Sequence, residues 1–184
     1  MNLLYYPHHF VYISSTHPWS LAHKLSNNTR EMGVTKLVQV GPWGSGGGEY
    51  PYEFIPNGRI TKIHIKTGGS GGCIDSITFG YIDACSGQEC WSKTYGGEGG
   101  HLSQYMYIEE GEEFLELSGT VGRYGGWTVI TSLCFKTNKK KCEFGSVSDN
   151  KFSLPVKTNT AKIVGFHGRY GGYLDSIGAV LQPK

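Results

Sequence analysis

From residue 37 onward the apolar residues fall in short runs of alternating character, separated by Gly, Asn and Ser. That is the period of strands with one buried face, and no segment sustains a helical period. The runs predict strands at 37–40, 60–67, 74–82, 105–108, 114–121, 127–135, 162–166 and 173–181, with weaker ones near Glu53, Cys90 and Phe152. Within 127–135 the apolar residues Trp127, Val129, Leu133 and Phe135 all take odd positions, as one buried face requires. Upstream the pattern fails. Leu3, Tyr5, Phe10 and Val11 are interrupted by Pro7, and Pro18 follows, so residues 1–35 read as an N-terminal extension, expected to be poorly ordered. Residues 36–184 read as one all-β domain.

Composition agrees. Glycine supplies 28 of 184 residues, about twice average usage, without the three-residue period of collagen. Paired glycines at about 1 kcal/mol each exclude long helices, and 13% aromatic residues exclude simple disorder. A net charge of +2 leaves no field to hold a polyanion, so nucleic acid is not expected as a partner. No apolar run approaches the length that spans a bilayer, and the start lacks the basic region of a signal peptide. A cytoplasmic or nucleocytoplasmic location is expected. Cys73, Cys85, Cys90, Cys134 and Cys142 form no CxxC pair, which suits reduced thiols better than a zinc site, although Cys85 and Cys90 are spaced to bridge a hairpin. No motif calls for a metal or cofactor.

The strongest signal is repetition. Gly-Arg-Tyr-Gly-Gly occurs at 122–126 and again at 168–172. GGWTVITSLCF from Gly125 aligns with GGYLDSIGAVL from Gly171 and with GGCIDSITFGY from Gly71. The copies start about 50 residues apart, room for about four strands each. Glycine-rich loops interleave with them, GPWGSGGG at 41–48 and YGGEGG at 95–100, while FGSVSDN at 144–150 has lost the paired glycines. Three such units bury their inner faces on one another as a prism of three sheets.

GPWGSGGG, YGGEGG, FSLP at 152–155 and the terminal GFHGRYGGYLDSIGAVLQP together resemble the jacalin-related lectins over about residues 36–183. The resemblance implies a β-prism I fold of three four-stranded antiparallel Greek-key sheets with pseudo-threefold symmetry. It implies metal-independent carbohydrate binding and no enzymatic activity. Carried over, the family's Gly-x-x-x-Asp turn places a first sugar site at Gly172, Tyr173 and Asp175, closed by Gly48, with the Gly172 and Tyr173 N–H groups as donors. A second would use Gly72, Cys73 and Asp75, closed by Gly100. The middle copy aligns Val129 with the aspartates, so no third site is expected. Family members whose chain is not cut at the glycine-rich loop prefer mannose or glucose. Partners are therefore expected to be mannose- or glucose-containing glycans and glycoproteins, with homo-oligomers also compatible.

The chemistry suits a sugar. A carboxylate accepts two hydroxyl hydrogens at once, and glycine lets a ligand approach the backbone. A few such bonds, less the cost of immobilising the ligand, give a Kd of about 0.1–10 mM for one monosaccharide. Gly68–Gly72 formally matches Gly-x-Ser-x-Gly, but a strand rather than a helix is predicted to follow, which excludes a nucleophile elbow. Asp75 and Asp175 belong to different copies, unlike a glycosidase pair. Lys136 and 139–141 read as a solvated hairpin turn, and His101 as a rim residue of the second site. The competing reading is a protein-interaction module on the same fold.

Overall fold

The computed structural model describes residues 36–69 and 71–184; the expectations for residues 1–35 lie outside the described residues. The alternating runs become β1 (Val38–Gly44), β2 (Tyr50–Phe54), β3 (Gly58–Thr67), β4 (Ile74–Asp83), β5 (Glu89–Trp91), β6 (Tyr95–Gly96) and β7 (Leu102–Tyr107). There follow β8 (Phe114–Tyr124), β9 (Trp127–Thr137), β10 (Lys141–Gly145), β11 (Asn150–Pro155), β12 (Ala161–Tyr170) and β13 (Leu174–Pro183). Two of these, β6 and β10, lie outside the runs read from the sequence. The lysine turn is seen at 137–140, closed by the Thr137 N–H donating to Lys140 O at 2.8 Å, and Lys141 already belongs to β10.

Three antiparallel sheets result. Sheet 1 has the order β1-β13-β12-β2, sheet 2 β10-β9-β8-β11, and sheet 3 β5-β4-β3-β7 with β6 also on β4. β5 pairs with Gly80, Tyr81 and Ile82, and β6 with Ser76 and Ile77, so the two lie in series along one edge and each sheet is four strands wide. Each has a central hairpin flanked by outer strands, one of which crosses over, which is the Greek-key arrangement. Sheet 1 differs in origin: its strands are the first two and the last two of the domain.

The inner faces meet on Phe79, Phe135 and Phe166, one from each sheet and each fully buried. Phe166 stacks on Phe79 at 5.0 Å and meets Phe135 edge-on at 5.6 Å. The cross-strand pairs are Ile63 with Phe79, Leu117 with Phe135, and Phe166 with Ala179. In sheet 1 the ring has thus moved to the neighbouring strand and an alanine takes its place, which lets three bulky groups share one axis without overpacking.

Candidate functional site

Near its tip, each central hairpin carries the same irregularity. In sheet 1 Arg169 pairs with Ser176 and Tyr170 with Leu174, leaving Asp175 as the extra residue of a bulge. In sheet 3 Lys66 pairs with Ser76 and Thr67 with Ile74, leaving Asp75. In sheet 2 Thr120 pairs with Ser132 and Val121 with Ile130, leaving Thr131. A bulge re-aims one side chain out of the sheet, and here it aims the three equivalent residues at the loop that follows the outer strand. That loop closes on the bulge through Ser45, Gly97 and Ser146, whose N–H groups donate to the carbonyls of Asp175, Asp75 and Thr131 at 2.9, 3.1 and 2.8 Å.

This corrects the ungapped alignment: the counterpart of the aspartates is Thr131, not Val129. The two Gly-Arg-Tyr-Gly-Gly copies are likewise not equivalent. Gly168 pairs with Ile177 as Gly119 pairs with Leu133, whereas Gly122 pairs with Val129, nearer the tip. The β8–β9 hairpin is longer and turns through Gly125 and Gly126, both at positive φ (57° and 88°), with Tyr124 paired to Trp127. Two successive left-handed residues make the tight connection that suits strand twist.

At the first site Asp175 is 7% exposed. The loop 45–49 lies against it so closely that a Cβ on Gly48 would sit 2.8 Å from both Asp175 Oδ2 and the Tyr170 N. Arg169 holds the loop in place, donating from Nε to Gly48 O at 2.9 Å and from Nη2 to Glu49 O at 3.5 Å. A cavity of about 290 Å³ opens here, lined by Gly48, Gly172, Tyr173 and Asp175, all four expected from the sequence, together with Glu49 and Trp127. A Cβ on Gly172 would meet nothing within 4 Å, although its carbonyl packs against Gly97, whereas Tyr173 packs edge-on to Tyr124 at 5.4 Å. Trp127, 63% exposed, brings the taller hairpin of sheet 2 to the rim. Burial pushes the Asp175 carboxyl above its ordinary range, against the opposing pull of the Gly171 N–H and the Arg169 guanidinium. Arg169 and Trp127 went unassigned in the sequence, although both flank the glycine pairs of the repeated pentapeptides.

The second site repeats the arrangement with a longer hairpin loop. A Cβ on Gly100 would meet Asp75 Oδ2 at 3.0 Å, and one on Gly99 would meet Asp75 Oδ1 at 2.6 Å. Lys66 takes the place of Arg169 and reaches Glu98 O at 3.5 Å. Asp75 is 6% exposed, and its Oδ2 is enclosed by the glycine loop as a buried acceptor without a hydrogen-bond partner. Burial raises its carboxyl, with His101 and Lys66 pulling the other way. His101 rims the site, its Nε2 3.2 Å from where a Gly69 Cβ would be. The Gly72 N–H, expected to face a ligand, is instead donated to Gly69 O at 2.9 Å, a turn made possible by the longer loop. Cys73 is fully buried and its thiol is pushed up to about 12, chiefly by desolvation.

In sheet 2 the same place is filled. Thr131 Oγ1 lies 2.8 Å from Thr120 Oγ1 and 2.8 Å from Ser148 Oγ, and the Ser148 N–H donates to Thr120 Oγ1 at 3.1 Å. Three short side chains satisfy one another where a carboxylate and glycines stand elsewhere. The β3–β4 loop joins two strands of one hairpin, which removes the nucleophile-elbow reading. All five cysteines are free, Cys85 and Cys90 included.

A three-sheet prism with bulge-borne carboxylates under glycine loops is the architecture of a carbohydrate-binding β-prism domain. The jacalin-like lectin domain model matches residues 40–180, and the chain belongs to that lectin family rather than to an enzyme family. It is 36% identical over 158 residues to a mannose/glucose-specific lectin of Parkia pendula, a match covering 82% of this chain and 33% of that protein. The chain thus spans a third of that relative's length. Horcolin of barley (Hordeum vulgare) is 33% identical over 151 residues, covering 82% of this chain and all of that protein. Among solved structures, the Calystegia sepium agglutinin superposes with a TM-score of 0.72 at 34% identity, covering 82% of this chain and 99% of its own. A mannose-binding jacalin-related lectin of Ananas comosus superposes with a TM-score of 0.69 at 31% identity, covering 80% and 99%.

Proposed function

We propose that this lectin binds mannose- or glucose-type residues of glycans without a metal ion, at a first site built on Asp175 and a second on Asp75. The observation that carries the reading is the packing of Gly48 on Asp175: a nearly buried carboxylate faces a wall in which no side chain fits. The carboxylate accepts hydroxyl hydrogens from a ring seated in the cavity. Gly172 and Tyr173 donate from the hairpin tip, and Tyr173 and Trp127 give the ring's C–H face an apolar surface. At the second site the Asp75 carboxylate plays the same part, with the donors drawn from loop 97–101 rather than from Gly72. The names of the Parkia and Ananas relatives support the mannose/glucose preference. Retention on a mannose matrix in excess chelator tests the whole reading. Wild type is expected to bind and Asp175→Ala to lose most retention. A folded wild type that runs through unretained rejects the lectin reading in favour of a protein-interaction module.

A further inference from the structure

The outward face of sheet 3 is not the polar, featureless surface that a single-layer sheet usually turns to water. Ile63, Ile65, Ile77, Phe79 and Met106 point inward and are buried, so the alternate residues form the outer face. Three rungs cross it. Tyr107 pairs with Lys62, Lys62 with Gly80, and Gly80 with Trp91. Tyr105 pairs with His64 and His64 with Thr78, whose hydroxyl lies 3.0 Å from that of Thr94. Ser103 pairs with Lys66, Lys66 with Ser76, and Ser76 with Gly96.

The aromatic residues on these rungs stay open to solvent: Trp91 is 46% exposed, Tyr105 47% and Tyr107 58%. They are also held in order. The Lys62 ammonium sits 5.5 Å from the Trp91 ring and 5.8 Å from that of Tyr107, and pairs with Glu89. Its stem lies over Gly80, where an added Cβ would stand 3.1 Å from Lys62 Cβ. His64 stacks on Tyr105 at 4.3 Å and 10°, with its Nε2 2.7 Å from Ser103 Oγ, and Tyr105 stacks on Tyr107 at 6.1 Å. Burial and the neighbouring Lys66 lower the His64 pKa, which favours the neutral ring at neutral pH.

Beside the rings runs a hollow of about 620 Å³ lined by His64, Lys66, Thr78, Thr94, Gly97 and Glu98, among others. Its head is the loop 97–101, the same loop whose Gly99 and Gly100 close on Asp75. Aromatic faces, hydroxyls, an amine and a carboxylate thus share the outer face of the sheet whose loop 97–101 closes on Asp75.

We propose that this face is an auxiliary glycan-binding track. It receives the inner residues of a mannose-type oligosaccharide whose terminal residue is held at Asp75. The inference rests on the lectin reading and names the ligand class of its second site as an extended chain rather than a single sugar. Pyranose rings lay their C–H faces on Tyr105, Tyr107 and Trp91 while their hydroxyls meet Thr78, Thr94 and Glu98. The charge pattern argues against a polyanion, because Lys62 is matched by Glu89 and Glu98 stands at the head of the hollow.

The test uses the full chain carrying Asp175→Asn, so that the Asp75 site alone is read, and titrates methyl α-mannoside and a linear mannopentaose by calorimetry. Adding Tyr105→Ser, Tyr107→Ser and Trp91→Ser is expected to leave monosaccharide affinity unchanged and to weaken the pentasaccharide about tenfold. Trp91→Phe alone is expected to keep the wild-type value. Unchanged pentasaccharide affinity in the serine variant overturns the track while leaving the lectin reading intact. So does a serine variant whose only change is a smaller sedimenting species, which would make the face a contact between copies of this chain. If Asp175→Asn binds neither sugar although the wild type binds both, the anchor at Asp75 is absent and the proposal fails with it.

Discussion

Gly48 offers the sharpest test of the first site, because one methyl group probes it. A Cβ there would stand 2.8 Å from Asp175 Oδ2 and 2.8 Å from the Tyr170 N. The carboxylate can rotate away, but the backbone nitrogen cannot, so in Gly48→Ala either the loop retreats or Asp175 leaves its position. Either movement removes at least one carboxylate hydrogen bond to the sugar, worth about 1.5–3 kcal/mol. Affinity at the first site should fall by about 10- to 200-fold. Gly46 lies in the same loop with nothing within 4 Å of its added Cβ, so Gly46→Ala should bind as wild type. Calorimetric titration with methyl α-mannoside, in an Asp75→Asn background that silences the second site, measures both, with circular dichroism to confirm the fold. If Gly48→Ala binds within twofold of wild type, the loop does not wall the sugar and the site assignment is wrong.

Further outcomes follow from the same geometry. Arg169→Ala removes the charged donor to Gly48 O and should weaken first-site binding several-fold without touching the sugar, an effect that Arg169→Lys only partly restores; titration at 25 °C shows it. Burial raises the Asp175 carboxyl, so sugar binding should fade on acidification at a higher pH than an ordinary aspartate would give, as read from Kd against pH. Stability runs the other way: a raised folded pKa contributes stability below the unfolded pKa that is lost as pH rises through the folded one, so Asp175→Asn should melt higher than wild type at pH 7 and no higher at pH 3. Equal melting temperatures at pH 7 count against that account. Glu112 is buried, accepts hydrogen bonds from Thr137 Oγ1 and the Glu109 N–H, and pairs with Lys140. Glu112→Ala should cost about 2–4 kcal/mol in urea unfolding and leave sugar affinity unchanged.

The alternating runs were enough to read the long strands, because the inner face of each sheet must be apolar at every second residue, and the repeated glycine pairs gave the three-unit plan. The bulges were not legible. One inserted residue reverses the phase of a strand, so Ile130 and Leu133 are both buried although they differ in parity, and an alignment without gaps slips past Thr131. The identical pentapeptides misled for the same reason, since hairpins of different length carry equal sequences to unequal heights. Asp175 and Gly48 were recognisable through the family resemblance, because its Gly-x-x-x-Asp turn and its glycine-rich loop both stand in this sequence. Arg169 was not, since its work is done through a backbone carbonyl on a distant loop. The exposed rings of sheet 3 were equally hidden: Tyr105 and Tyr107 read as any strand would, and only pairing with β3 aligns them with His64 and Lys62.

Sheet 1 joins the first strands of the domain to its last ones, and that origin sets the two candidate pockets apart in how distant in the chain the segments that close them are. The hydrogen bond from Arg169 to Gly48 O closes 121 residues of chain, while the one from Lys66 to Glu98 O closes 32. Distant closures form later and cost more entropy than near ones. The second pocket is thus assembled from near neighbours in the chain, while the first depends on the two ends of the domain being brought together. Both still draw on one core, in which Phe79 of sheet 3 stacks on Phe166 of sheet 1, so loss of the last strands would unpack either pocket. A ligand held at Asp175 would stabilise the longer closure by mass action.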